Sequence, residues 1–143
     1  MEQHLGTVTC PVTAHVRSLN KQPMPLPTEL HYRVTDPYAV RISLGPTDGP
    51  RVPWVFARDL LVEGLHRPTG AGDVLVLPAH GHHPDALRVV LKNGAGTALV
   101  ELAVAEVAEF LRRTYALVPA GTESDHLNLD SAITALMGRS PQP

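Results

Sequence analysis

The chain has 143 residues, of which 43% are hydrophobic and 4% aromatic, so we expect one domain over residues 1–143 with an aliphatic core. The net charge of -2, from 12 Lys and Arg against 14 Asp and Glu, argues against a nucleic-acid-binding protein, which usually carries a basic excess. Cys10 is the only cysteine, which excludes an intrachain disulfide and a cysteine-rich zinc site and fits a reducing cytosol.

The N-terminal stretch has no positively charged region before an apolar one, so it predicts no secretory signal. No segment stays apolar over the roughly 18 residues that a transmembrane helix needs. We therefore expect a cytoplasmic protein without direct membrane insertion. Another protein would have to bring it to any membrane-associated site.

Apolar residues alternate with polar ones along the first part of the chain, which predicts strands. Pro11 lies inside the first run and favours an edge strand, because proline cannot donate to a neighbouring strand. The proline-rich segment Pro23–Pro27 predicts an extended connection. The predicted strands are Val8–Val16, Leu30–Val34, Tyr38–Leu44 and Arg51–Phe56.

A short helix is predicted next, over residues 57–64, with Gly64 at its C-terminal end. Its apolar side carries Ala57, Leu60, Leu61 and Leu65. Further strands are predicted at 73–79, 86–92 and 97–102, the last two joined by the NGAG turn. A longer helix follows over 103–117, then a final one around Leu129–Met137 and a frayed tail at 139–143. The order ββββα, then βββα and a terminal helix, predicts an α+β fold with antiparallel sheets.

Four segments of this sequence carry a family resemblance. They are DPYAV at 36–40, WVFARDLLVEGLHRPTGAGDVLVLP at 54–78, EFLRRT at 109–114 and VPAGTE at 118–123. In this order and spacing they closely resemble the central block of the SsgA-like proteins, actinomycete regulators of sporulation and cell division. The likeness runs from about Leu30 to about Asp130, and the EGLHRPTGAGDV stretch is most similar to the SsgB branch.

The resemblance implies a non-enzymatic adaptor that recruits or positions the tubulin-like division protein FtsZ at septation sites. It also implies a whirly-like fold, homo-oligomers with a preference for trimers, and an SsgA-type paralogue as a further partner. Through such partners the protein would lie at the division septum. The segment Pro23–Pro27 and the loop HGHHPD match no pattern of the family, so partner contacts there could differ from those of relatives.

The HGHHPD loop places His80, His82, His83 and Asp85 close together, and imidazole and carboxylate groups are ligands for zinc or nickel. Proximity in a turn does not ensure convergence, so a solvated hairpin loop is the favoured interpretation and we expect no cofactor. The glycines of GAGD, at 70–73, follow a helix and precede a strand, the reverse of a phosphate-binding loop. They predict a turn with positive φ.

Arg58, Asp59 and Glu63 are predicted on the solvent-exposed side of the short helix, opposite Leu60 and Leu61. The ordinary interpretation is a solvated face, but a rigid polar face is also a candidate for partner binding. Cys10 lies between Val8 and Val12, where an apolar setting disfavours the reactive thiolate, so it is predicted as a core residue.

No nucleophile elbow or zinc-protease motif occurs, so we expect no catalytic residues. The aromatic residues Trp54 and Phe56 share one face of a strand and are predicted in the core. Two other functions stay open at this point. One is a single-stranded nucleic-acid-binding protein of whirly-like fold, and the other is a small metal-dependent enzyme built on the histidines.

Overall fold

Eight strands and two helices account for most of the residues that the structure describes. The computed structural model describes residues 5–18, 21–46, 48–81 and 84–127, together with Leu136. The strands are β1 (Thr7–Ser18), β2 (Met24–Arg33), β3 (Ala39–Leu44), β4 (Val52–Ala57), β5 (Thr69–Ala71), β6 (Val74–Leu77), β7 (Ala86–Asn93) and β8 (Gly96–Ala103). The helices are α1 (Arg58–Gly64), between β4 and β5, and α2 (Val104–Leu117), after β8. The α+β class and the antiparallel pairing expected from the sequence are confirmed.

The strands form one eight-stranded sheet in the order β4-β3-β2-β1-β8-β7-β6-β5. Each half of the chain is a meander of neighbouring antiparallel strands, and the pairing of β1 with β8 joins the halves. The edges are therefore β4 and β5. The expectation that β1 is an edge strand is wrong, because β1 pairs with β2 and β8.

Pro11 in β1 occupies a position where no strand hydrogen bond is lost. The backbone N–H of Thr13 points away from β2 and donates to Oε1 of Glu106 at 2.8 Å. Pro11 lies two residues earlier, so its nitrogen points the same way, and the pairing with β8 begins only at Ala14. The one-sided pairing at Pro11 explains why an interior strand tolerates a proline.

The segment Pro23–Pro27 was expected to be a connection, and this is wrong, since β2 already begins at Met24. The Pro27 carbonyl accepts a hydrogen bond from the Gly45 N–H at 2.8 Å, on the side of β2 that faces β3. The Pro27 nitrogen points to the same side, where β3 has ended at Leu44. Both the strand and Pro27 are thus accommodated.

Helix α1 spans the two edges of the sheet. It follows β4 directly and packs against β5 and β6 at the opposite edge, so the sheet must curve until its edges approach each other. A Cβ atom on Gly64 would lie 2.1 Å from Cγ1 of Val76, so only glycine permits this contact between helix and sheet. The enclosed core is aliphatic, as predicted, and contains Leu61, which is fully buried.

The second half contains one strand more than the sequence indicated. Residues 69–71 form β5, which pairs with β6 across a turn in which Gly72 has a φ of 62°. The predicted positive φ in GAGD is confirmed, but the turn joins two strands rather than a helix and a strand. The NGAG hairpin is confirmed, with Oδ1 of Asn93 accepting the N–H of Ala95 and of Gly96. The final helix predicted around Leu129–Met137 and the frayed tail lie outside the described residues, except Leu136.

Candidate functional site

Arg58, at the first position of α1, is buried inside the protein with 1% of its surface exposed. Its Nη2 atom donates to Oε2 of Glu123 at 2.8 Å. Its Nη1 atom donates to the Val118 carbonyl at 3.0 Å and to Oγ1 of Thr114 at 3.3 Å. The prediction of a solvent-exposed Arg58 is therefore wrong, and the side chain fastens α1 to the end of α2 and to the segment that follows it.

Two tyrosine rings flank the guanidinium group of Arg58. Its Cζ atom lies 3.9 Å from the ring centroid of Tyr115 and 5.0 Å from that of Tyr32, both within the range of cation–π attraction. Burial raises the pKa of Tyr32 to about 12, against the opposing effect of the Arg58 charge. The Tyr32 hydroxyl therefore stays protonated near neutral pH and donates to the Pro37 carbonyl at 3.0 Å.

Glu123 is the acidic partner of this cluster, with 8% of its surface exposed. A hydrogen bond from its own backbone N–H, and others from Arg58 and from the Gly121 N–H, lower the pKa of the Glu123 carboxyl, although burial acts in the opposite direction. The carboxylate is thus ionised at neutral pH. With a permanent charge on each side, the pair is suited to hold the fold together rather than to exchange protons.

All four segments that carry the family resemblance meet at Arg58. We call the group around it the arginine cluster; its side chains are Tyr32, Arg58, Thr114, Tyr115 and Glu123. The DPYAV segment supplies the Pro37 carbonyl and also the Tyr38 carbonyl, which accepts the Arg58 backbone N–H at 2.7 Å. Thr114 ends EFLRRT, and VPAGTE supplies Val118 and Glu123. The four segments therefore converge on one tertiary contact in this protein.

The outer side of α1 presents a different surface. Asp59 and Glu63 are exposed, and Oε1 of Glu63 lies 3.3 Å from Nη2 of Arg67. Of the three residues predicted for partner binding, Asp59 and Glu63 are thus exposed, and Arg58 is buried. Their partner role remains a prediction.

The chain is similar to known proteins over most of its length. A family model described as Streptomyces sporulation and cell division protein, SsgA, matches residues 26–123, which contain the whole arginine cluster. The chain belongs to the SsgA family. It is 40% identical over 134 residues to the sporulation-specific cell division protein SsgB of Streptomyces coelicolor, covering 94% of this chain and 98% of the relative. It is also 40% identical over 127 residues to SsgB of Thermobifida fusca.

Solved structures of the SsgA family have the same fold. The SsgA-like sporulation-specific cell division protein of Thermobifida fusca superposes with a TM-score of 0.84 at 38% identity, covering 94% of this chain and 98% of that one. SsgB, solved in a study that correlates its mutations with longitudinal cell division during sporulation of Streptomyces coelicolor, gives 0.77 at 41% identity, covering 87% and 99%. The family and the likeness to SsgB expected from the sequence are confirmed, and they support a role in sporulation cell division.

The structure describes part of the HGHHPD loop. His80 and Asp85 are described, whereas His82 and His83 lie outside the described residues. Among the residues that are described, no group of three or more His, Cys, Asp or Glu side chains could hold a metal ion. Neither the solvated hairpin loop favoured by the sequence nor the alternative of a metal site at these histidines is therefore tested.

Two further sequence interpretations can be checked. Cys10 is buried in the core with 5% exposure, and burial raises the pKa of its thiol, as predicted. Phe56 is buried in the core and Trp54 packs against it.

Within the described part of the chain, no helix has the length and apolar character needed to cross a membrane.

Sequence reasoning missed Arg58 and Glu123 as a pair. A signal was present for Arg58, because it precedes the core residue Leu61 by three positions and residues at i and i+3 share a helix face. No local pattern identified Glu123, whose partner lies 65 residues away.

Proposed function

We propose that this protein is a non-enzymatic adaptor in sporulation-specific cell division that recruits or positions FtsZ at septation sites. The relatives named SsgB and the family match support the division role. The structure adds a rigid surface on which a partner could dock. Among the described residues, no group of three or more His, Cys, Asp or Glu side chains could hold a catalytic metal ion.

The observation that carries the proposal is the way α1 is held. Arg58 and Leu61 fix its inner side within the core, at 1% and 0% exposure. Asp59 and Glu63 on the outer side are then held in a fixed orientation, although the core packing does not require them to be acidic. A preorganised charged face favours association because little conformational entropy is lost on binding.

We also propose that the protein forms homo-oligomers, with trimers preferred, and that partners bring it to the septum from the cytoplasm. An SsgA-type paralogue is a further candidate partner. The sequence predicted self-association from an edge at β1, but β1 is an interior strand. The edge strand β4 supports self-association instead, because Val52 and Val55 are 53% and 61% exposed, and an exposed apolar edge favours pairing with another chain. Light scattering that finds only the 15.4 kDa monomer at tens of micromolar would contradict self-association.

The test of the adaptor function reverses the charge of the α1 face. In sporulating cells that lack the native copy, the variant carrying Asp59→Lys and Glu63→Lys should express and fold, yet fluorescent FtsZ should fail to assemble into regular septal ladders. A second variant, with Asp48→Lys and Asp125→Lys, makes the same change in net charge at two exposed positions outside α1. It should restore normal ladders.

Oligonucleotide binding by the wild-type protein distinguishes the adaptor from the nucleic-acid-binding alternative. A labelled single-stranded oligonucleotide at low salt should show no micromolar binding to the wild-type protein, because the chain is acidic overall. Normal FtsZ ladders with the α1 variant would contradict the role of this face, and tight, salt-sensitive oligonucleotide binding would favour the alternative.

A further inference from the structure

A groove of about 780 Å³ lies on the outer face of the sheet, on the side opposite α1. Val76 faces the core and approaches Gly64 of α1, so the next residue, Leu77, points to the outer face. We call this feature the outer groove. The lining residues that matter here are Arg17, Lys21, Leu77, Arg88, Val90 and Leu99.

The floor of the outer groove is apolar where a solvent-facing sheet surface is ordinarily polar. Val90 of β7 pairs with Leu99 of β8. Leu77 of β6 pairs with Arg88 of β7, two residues before Val90, so Leu77 is a diagonal neighbour of Val90. Leu77, Val90 and Leu99 are all half-buried. Three aliphatic side chains from three adjacent strands thus form a continuous strip.

The border of the outer groove is cationic. Arg17 pairs with Leu99 at the β1 side, Lys21 follows the end of β1, and Arg88 lies beside Leu77. None of these three side chains forms an ion pair within the described residues, and no acidic residue lines the groove. Glu101 stands opposite Arg88 in the strand register without forming an ion pair with it.

Charge complementarity decides the kind of occupant. The chain as a whole has a net charge of -2, so a local group of three unpaired cations is a departure from its average surface. An aliphatic floor selects aliphatic side chains, and cations at the border select carboxylates. We propose that the outer groove binds an extended acidic peptide segment of a partner protein, in which carboxylate and aliphatic side chains alternate.

Alternation matches the groove because side chains of an extended peptide point to opposite sides with a period of two. Aliphatic side chains can then contact Val90 and Leu99 while carboxylates reach Arg17 and Lys21. A single nucleic-acid strand fits less well, since none of the residues that line the groove is aromatic and bases need a stacking surface. The inference goes beyond the proposed function, because it concerns the opposite face of the sheet and its assay contains no FtsZ.

The test uses fluorescence anisotropy with a fluorescein-labelled octapeptide in which Glu and Leu alternate. The wild-type protein should bind this probe, and added salt should weaken the binding. Arg17→Glu combined with Lys21→Glu should weaken it at least about tenfold. Both residues are exposed, so the circular dichroism spectrum should not change. Val90→Thr keeps the shape and β-branching, and should weaken binding about threefold by making the floor polar.

Arg33→Glu is the control for a single charge reversal, because Arg33 is an exposed cation on β2, outside the groove. It should bind the probe as the wild type does. The proposal is overturned if the probe does not bind, if an octapeptide of alternating Lys and Leu binds equally well, or if Arg33→Glu weakens binding as much as the groove variants. It is also overturned if an oligonucleotide displaces the probe at equal concentration. A change of oligomeric state in the Arg17 and Lys21 variant would likewise overturn it, by assigning the groove to a second copy of the chain.

Discussion

Nη2 of Arg58 lies 2.8 Å from Oε2 of Glu123 inside the protein, although the two residues stand 65 positions apart in the sequence. The contact ties the start of α1 to the segment that follows α2. Because α1 also contacts strands at both edges of the sheet, this ion pair helps to hold the two edges near each other. Both residues lie within the part of the chain that matches the SsgA family.

Glu123→Gln should lower the free energy of unfolding by about 2 kcal/mol, because it leaves the buried charge of Arg58 without its counter-charge. Urea unfolding followed by circular dichroism measures the change. Glu63→Gln is the control, since Glu63 pairs with Arg67 on the surface and this substitution should leave stability nearly unchanged. Equal stability of the Glu123→Gln variant and the wild type would contradict a structural role for the ion pair.

The contribution of Glu123 should depend on pH. Its pKa in the folded protein is lowered from the ordinary 4.5, so the unfolded chain binds the proton more readily. The resulting stability is present above about pH 4.5 and is lost as the pH falls through the lower, folded pKa. The stability difference between wild type and Glu123→Gln should therefore be constant from pH 7 to about pH 5 and shrink below that. A difference that grows on acidification would contradict this assignment.

Gly64→Ala should destabilise the protein by about 1–3 kcal/mol, although alanine ordinarily stabilises a helix relative to glycine. The reason is that the new Cβ would lie 2.1 Å from Cγ1 of Val76. Thermal unfolding provides the measurement. Gly94→Ala, at a position where a Cβ meets nothing within 4 Å, serves as the control. An unchanged melting temperature for Gly64→Ala would show that α1 lies farther from β6 than the structure has it.

Leu61→Asp should unfold the domain, because Leu61 is fully buried and an unpaired buried carboxylate costs several kcal/mol. Val55→Asp is the matched substitution at a position that is 61% exposed, and it should remain folded. Both can be compared by circular dichroism and by the yield of soluble protein. A cooperative transition near the wild-type temperature for Leu61→Asp would mean that α1 does not pack on the core.

Much of the fold could be predicted from the sequence because strand alternation and turn residues are local signals. The alternation of Val8, Cys10 and Val12 identified β1, and NGAG identified the β7–β8 hairpin. The order of strands could not be predicted, since the pairing of β1 with β8 depends on contacts far apart in the sequence. The sequence also predicted a connection, not a strand, at Pro27. Pro27 is tolerated in β2 because its nitrogen faces the side where β3 has ended, so no strand hydrogen bond is lost.

The candidate site was harder to predict than the fold. The charge of Arg58 suggested an exposed position, whereas the tertiary structure supplies Glu123 and two tyrosine rings that make burial favourable. Asp59 and Glu63 were placed correctly, since both are exposed on the outer side of α1. The outer groove could not be foreseen, since it requires knowing which strands lie beside β7.

The most direct test of the proposed function is co-sedimentation of the purified protein with assembled FtsZ polymers. We predict that the wild-type protein pellets with the polymers, and that Asp59→Lys combined with Glu63→Lys weakens the association at least about fivefold, or about 1 kcal/mol, at unchanged fold and oligomer size. The control variant with Asp48→Lys and Asp125→Lys should pellet like the wild type. Failure of the wild-type protein to pellet with FtsZ would contradict direct recruitment, and undiminished pelleting of the α1 variant would contradict the docking face.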